Sequence, residues 1–207
     1  MKDYRILIPI MTAFCLIWAG CSHSVPEDFT PEETALICEA DGLMRVLTVE
    51  DSTDLEVLRT PSYDISARSL SSDEYRKLCS LLISTVTHPS QDGVGIAGPQ
   101  VGLNRRIVAV QRFDKEGESF EVYPNISIKW ASDSLSYGPE GCLSVPGRRG
   151  DVLRSQEIII EYAIPAKDRR SGKAGLTMVQ DTVKGFTAVI FQHEIDHLEG
   201  ILYTDRL

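Results

Sequence analysis

Phe186-Thr187-Ala188-Val189-Ile190-Phe191-Gln192-His193-Glu194-Ile195-Asp196-His197-Leu198-Glu199 reads as one helix that stops at Gly200. Its first turns are apolar nearly all round, so the helix is expected to be buried and its polar groups to need partners. His193 and His197 stand four residues apart, one turn apart on one face, the spacing that lets two imidazoles chelate a single ion. Glu194 beside them suits a carboxylate that handles the proton of metal-activated water. The pattern H-E-x-x-H arises by chance in such a chain on the order of once in a hundred, so metal binding is the expectation.

A catalytic site of this kind wants a third protein ligand and an open position. Only ten residues follow His197, too few for a later helix to supply a glutamate, and the slot three past Gly200 holds Tyr203 rather than histidine. Neither protease pattern is therefore completed. His23 falls in a polar tether and His88 precedes Pro89 in a loop. Cys142, inside Glu140-Gly141-Cys142-Leu143-Ser144, is better placed because glycine permits close backbone approach, though a lone cysteine is also commonly a buried thiol.

Outward from the helix, the pattern predicts α+β. Thr30-Pro31-Glu32-Glu33 opens a short helix to about Ala40, with Thr30 as its cap and Glu33 closing a capping box. Leu43–Val49 reads as a strand. Ser71 with Glu74 repeats the box before a helix over Ser72–Thr87, where Tyr75, Leu78, Leu82 and Val86 recur at helical spacing. Arg106–Phe113 and Phe120–Lys129 read as two strands, and Gln156–Ile164 with Leu176–Val183 as another pair around a turn at Asp168–Gly175.

The chain has 207 residues, 43% hydrophobic and 25% charged, within the range of one globular domain. A net charge of −9 argues against a nucleic-acid partner. Five cysteines are too few and scattered for a disulfide scaffold, although Cys38 and Cys79 are open to pairing in an oxidising compartment. Lys2 and Arg5 precede an apolar run, Ile6–Ala19, short for a bilayer span and right for a signal-peptide core. It ends in Trp18-Ala19-Gly20-Cys21, which resembles a bacterial lipobox. Residues 1–20 are thus expected to be a lipoprotein-type signal peptide, Cys21 the lipidated residue, and the protein exported and membrane-anchored in the cell envelope. Residues 21–42 follow as tether and short helix.

GVGIAGPQ (Gly93–Gln100), EGCLS (Glu140–Ser144) and QHEIDH (Gln192–His197) stand in the order and at about the spacing of the three motifs of the peptide deformylases. The chain resembles that family over about residues 43–207. The resemblance implies an α+β fold with antiparallel strands around the central metal-binding helix, and removal of the formyl group from N-formylmethionyl peptides. It implies Cys142, His193 and His197 as metal ligands, with Fe2+ the usual ion and Zn2+ or Ni2+ the alternatives outside the cytosol. Glu194 becomes the general base and then acid, and the Gln100 amide with the Leu143 N–H stabilises the oxyanion. Gly95 lets the peptide backbone lie close. Val94, Leu143 and Val189 are candidates for the methionine pocket. Glu140 and Arg154 are a candidate pair steadying the cysteine loop, or equally a solvated pair.

Gly98 stands where the family more often has alanine, a change expected to loosen the loop slightly. With its ending at Asp205-Arg206-Leu207, the chain is expected to go without the C-terminal helix that many bacterial members carry. The other readings are an exported formyl-peptide-binding module with little turnover, and a metalloprotease, which would not depend on Cys142. Oligomeric state is not legible.

Overall fold

The continuous apolar run Ile107-Val108-Ala109-Val110 is buried on both faces, and that burial organises the fold. The computed structural model describes residues 28–167, 172 and 174–207. Strands β1 (Gly95–Ala97), β2 (Ile107–Gln111) and β3 (Phe120–Pro124) form an antiparallel sheet in the order β1-β2-β3. Alternate side chains go to opposite faces. Ile96, Ile107 and Ala109 pack with Leu78, Leu82 and Val86 of helix α3 (Asp73–Val86), while Ala97, Val108 and Val110 pack with Ala188, Phe191 and Ile195 of helix α4 (Gly185–Leu198).

Helix α4 is covered on its other side by a second antiparallel sheet, β4 (Ser127–Ala131), β7 (Glu157–Lys167) and β8 (Ala174–Lys184), in the order β4-β7-β8. Ile158, Ile160 and Val183 belong to that core. A two-stranded hairpin, β5 (Leu135–Cys142) with β6 (Val145–Ser155), completes an α+β fold around the H-E-x-x-H helix. Helix α4 ends at Leu198, and the chain turns away at Gly200, whose φ of +71° favours glycine and where a β-carbon would strike the Arg59 carbonyl.

Helix α1 (Pro31–Glu39) carries the expected capping box, with Glu33 N–H donating to Thr30 Oγ1 at 3.2 Å and Thr30 N–H to Glu33 Oε2 at 2.8 Å. Glu33 also accepts from the buried Arg105, at 2.7 and 2.8 Å, which pins α1 beside the loop after β1.

Several expectations are corrected. Leu43–Val49 is not a strand. Its N–H groups go to separate elements, Met44 to Thr85 Oγ1 at 2.9 Å, Leu47 to the Gln100 carbonyl at 2.8 Å, Thr48 to Asp54 Oδ2 at 3.0 Å and Val49 to the Ser144 carbonyl at 2.9 Å, so it forms a strap rather than a ladder. Phe120–Lys129 breaks in two at Asn125, which tolerates φ +51° and exchanges hydrogen bonds with the Ile65 backbone at 2.7 and 2.9 Å. The cap of α3 is Ser72, accepting from Tyr75 N–H at 3.2 Å; Ser71 instead donates to the Ala67 carbonyl at 2.9 Å.

Cys38 and Cys79 are both free thiols. Helix α2 (Ser52–Arg59), capped by Asp51, and the β5–β6 hairpin are not foreseen. In the hairpin Pro139 and Pro146 fit because a two-stranded sheet consists only of edges. The turn expected at Asp168–Gly175 and the features expected in residues 1–27, including Cys21 and His23, lie outside the described residues, apart from Gly172, Ala174 and Gly175 of that turn.

Candidate metal centre and substrate cleft

The hairpin and the helix meet at the site. Cys142 sits at the end of β5, just before a two-residue reversal, and register shifts there between Gly141 and Cys142. That irregularity turns the thiol toward α4, where Cys142 Sγ lies 3.2 Å from His197 Nε2. Ligand atoms of Cys142, His193 and His197 lie within 4.8 Å of one another. His88 is not among them; its ring pairs with Ser90 Oγ at 2.8 Å in an exposed loop.

His193 is the ligand oriented from behind, whereas His197 Nδ1 is buried without a hydrogen-bond partner. His193 Nδ1 is 2.8 Å from Glu140 Oε2, which leaves Nε2 for an ion. Glu140 in turn accepts two hydrogen bonds from Arg154, at 2.8 and 3.0 Å. The two are buried at 7% and 4% exposure, so the pair is internal and not a solvated surface pair. Burial pushes the Glu140 carboxyl up, but His193 and Arg154 outweigh it and bring it to about 2. Asp196 extends the pair, accepting from Arg154 Nη1 at 2.6 Å.

The triplet suits a cation. Burial pushes His193 down, yet Cys142 and Glu140 raise it to about 10, so the surrounding field favours positive charge at this point. Burial lowers His197, keeping it a neutral imidazole fit to ligate. One thiolate and two imidazoles are the donor set of zinc, iron(II) or nickel rather than of magnesium or calcium.

Glu194 ligates nothing here. It is 4% exposed, its Oε2 has no hydrogen-bond partner, and burial raises its carboxyl to about 7 against the opposing pull of His193. A carboxyl near neutrality can both take and return a proton.

Gln100 sits in a 3-10 turn, Gly98–Val101, after β1. Its Oε1 accepts from Ala97 N–H at 2.8 Å, which fixes the amide and leaves Nε2 toward the site, 3.5 Å from Cys142 Sγ and 3.3 Å from Ser144 Oγ. The strap holds both neighbouring loops through the Gln100 and Ser144 carbonyls.

A cleft of about 810 Å³ opens onto these groups. Val94, Gly95, Gln100, Glu140, Cys142, Leu143, Val189, His193 and Glu194 all line it, so the structure brings the expected residues together, with His197 beneath and Arg154 behind. Gly95 has a sharper role than expected: a β-carbon there would lie 2.5 Å from Glu194 Oε1, so glycine makes room for the carboxylate itself. Gly98 has a steric reason in this chain. A β-carbon there would meet the Leu103 and Arg105 carbonyl oxygens at 2.6 Å, and Leu103 N–H donates back to the Gly98 carbonyl at 3.0 Å.

Phe186, Ile190, Arg148 and Arg149 also line the cleft and were missed. Phe186 lies three residues before Val189 and seven before His193, a helical spacing that points to it. Asp196 and Ser144 fall inside the quoted motifs, but nothing in the sequence gives either a role.

A purely structural metal site has no use for a buried carboxylate left without a partner. A metal-dependent hydrolase does, and that is the class the fold and the site define. Residues 44–207 match the polypeptide deformylase family, and the chain belongs to it. The family is metal-dependent, and the Cys142, His193 and His197 triplet is a possible metal site of this chain. The chain is 39% identical to the peptide deformylase of Symbiobacterium thermophilum over 122 residues, 59% of this chain and 51% of that one, so it spans about half the length of this relative. With peptide deformylase 2 of Gloeobacter violaceus it shares 38% identity over 153 residues, 73% and 74% of the two chains. Its fold is similar to that of a class I type b peptide deformylase from Acinetobacter baumannii with Met-Ala-Ser bound: TM-score 0.66, 30% identity, covering 80% of this chain and 98% of that one.

Proposed function

We propose that the chain removes the formyl group from N-formylmethionyl peptides by hydrolysis, releasing formate and a free amino terminus. The observation that carries this reading is the unpartnered Glu194 carboxylate in the cleft beside the Cys142, His193 and His197 triplet. The peptide held by the Acinetobacter relative supports it, since its name places methionine first. Cys142, His193 and His197 would hold one divalent ion, Fe2+ in the first instance and Zn2+ or Ni2+ as alternatives. When bound, the ion supplies a water of lowered pKa and polarisation of the formyl oxygen.

The chain's own groups do the rest. Glu194 accepts the proton of the attacking water at its carboxylate and returns it to the departing amine nitrogen. Gln100 Nε2 and the Leu143 N–H donate to the formyl oxygen as negative charge develops on it; being uncharged, they favour that charge without trapping a carboxylate beforehand. Val94, Leu143 and Val189 offer an apolar surface to the methionine side chain, and Gly95 keeps the cleft wall low beside Glu194.

The test is formate release from formyl-Met-Ala by the full-length chain loaded in turn with Fe2+, Zn2+ and Ni2+. Turnover of the formylated peptide but not of acetyl-Met-Ala supports the reading; no formate with any ion overturns it.

The sequence of residues 1–21 supports an exported, lipid-anchored protein that meets released formyl-peptides in the cell envelope. Labelled fatty acid recovered on the wild-type chain and lost in Cys21→Ala supports that placement; absence of label on the wild type contradicts it.

A further inference from the structure

The hydrogen bonds behind His193 continue to the surface. Asp196 lies on α4 three residues after His193 and is 8% exposed. Its carboxylate is shared by two guanidinium groups. Arg154 Nη1 reaches Oδ2 at 2.6 Å, and Arg206 grips both oxygens, Nε to Oδ2 and Nη2 to Oδ1, each at 2.5 Å. Arg206 belongs to a 3-10 turn, Tyr203–Arg206, that carries no ligand and does not line the cleft. Two carboxylates, Glu140 and Asp196, thus face two guanidinium groups, Arg154 and Arg206, and the set is charge-balanced.

We infer that Arg206 is a positioning residue for the metal centre, holding Asp196 so that Arg154 stays on Glu140 and Glu140 stays on His193 Nδ1. The inference rests on the reading of Cys142, His193 and His197 as metal ligands. With Arg206 removed, Arg154 alone must serve both carboxylates. Its Nη1 then bears the whole charge of Asp196 in a buried setting, and its fork is drawn off Glu140. Glu140 is what selects the tautomer and ring orientation of His193. Groups at this remove from a metal commonly change its affinity 10- to 100-fold. Arg206, three links beyond Glu140, belongs at the low end, about 10-fold.

The same turn has a second clamp that does not join the chain of bonds. Arg59 holds the Asp205 carboxylate and donates to the Gly200 carbonyl at 3.2 Å. Arg59 and Arg206 side chains are equally exposed, both 41%. Arg59→Ala therefore loosens the turn without touching Asp196, and separates packing from positioning.

The experiment measures the Zn2+ dissociation constant of the purified full-length chain by chelator competition and the visible absorption of its Co2+ form. Arg206→Ala is expected to weaken Zn2+ about 10-fold and to alter the Co2+ bands. Arg206→Lys, with one ammonium in place of a fork, is expected to fall between. Arg59→Ala is expected to lower Tm without weakening Zn2+ binding, since the Arg59 charge disfavours positive charge at His197. Unchanged affinity and spectrum in Arg206→Ala, or equal weakening in Arg59→Ala, overturns the inference. Should Arg206→Ala not fold, Arg206→Lys decides it alone, weakened Zn2+ binding supporting and wild-type binding overturning. Formate release is read in parallel; a wild type that binds Zn2+ but yields no formate with any ion defeats the deformylase reading and leaves the affinity comparison intact.

Discussion

Gly95 stands against Glu194 so closely that a β-carbon on the glycine would lie 2.5 Å from the carboxylate oxygen. The atoms in the way are the end of a side chain, which can move, rather than fixed backbone. Gly95→Ala should therefore cost little stability but displace the carboxylate from its working position, where shifts near 1 Å cost about 100-fold in rate. The check is kcat/KM for formyl-Met-Ala beside Tm: a large fall in the first with a small change in the second.

Gly98 makes the contrasting case, because the atoms a β-carbon would meet are the carbonyl oxygens of Leu103 and Arg105. Backbone cannot swing aside, and overpacking of this kind costs about 1–3 kcal/mol. Urea unfolding of Gly98→Ala should show a lower midpoint at an unchanged slope.

Asp114 gives a pH signature away from the metal centre. Arg112 is buried and donates to both Asp114 oxygens at 2.7 Å, and this holds the Asp114 carboxyl below its ordinary value of 3.8. A carboxyl depressed in the native state contributes stability that is full above its unfolded pKa and is lost as pH falls through the folded value. Asp114→Asn should thus be less stable than wild type at neutral pH. The cost is about 1–3 kcal/mol, since Asp181 still serves Arg112 at 2.9 Å. The gap should close below pH 3.8 in Tm measured against pH.

Metal removal should act on stability as well as turnover, since Cys142 and the two histidines come from separate elements that an ion would join. Ligand binding to the native state alone adds about 4 kcal/mol at a thousand times Kd. Chelation should lower Tm and abolish formate release, and readdition of the ion should restore both.

The buried helix and its two histidines were legible because apolar residues and ligands share one period, and β2 because a strand covered on both faces is a plain apolar run. Glu33 announced its capping box. The hairpin bearing Cys142 was not legible as strands: Pro139, Gly141, Pro146 and Gly147 look like loop, and only the edge position of both strands admits them. The strap over Leu43–Val49 reads as a strand in sequence because its donors find unrelated elements, a tertiary fact with no local pattern. Phe186 could have been found from its spacing to His193. Asp196 and Arg206 meet only in the folded chain.

Glu194 as the proton carrier is tested most directly by comparing wild type and Glu194→Gln at matched metal content, with formate release from formyl-Met-Ala as the readout. The glutamine keeps the shape of the side chain and touches no ligand, so both proteins should bind the ion equally. Loss of kcat of about 100-fold or more is the predicted result. Turnover within a few-fold of wild type would contradict the assignment.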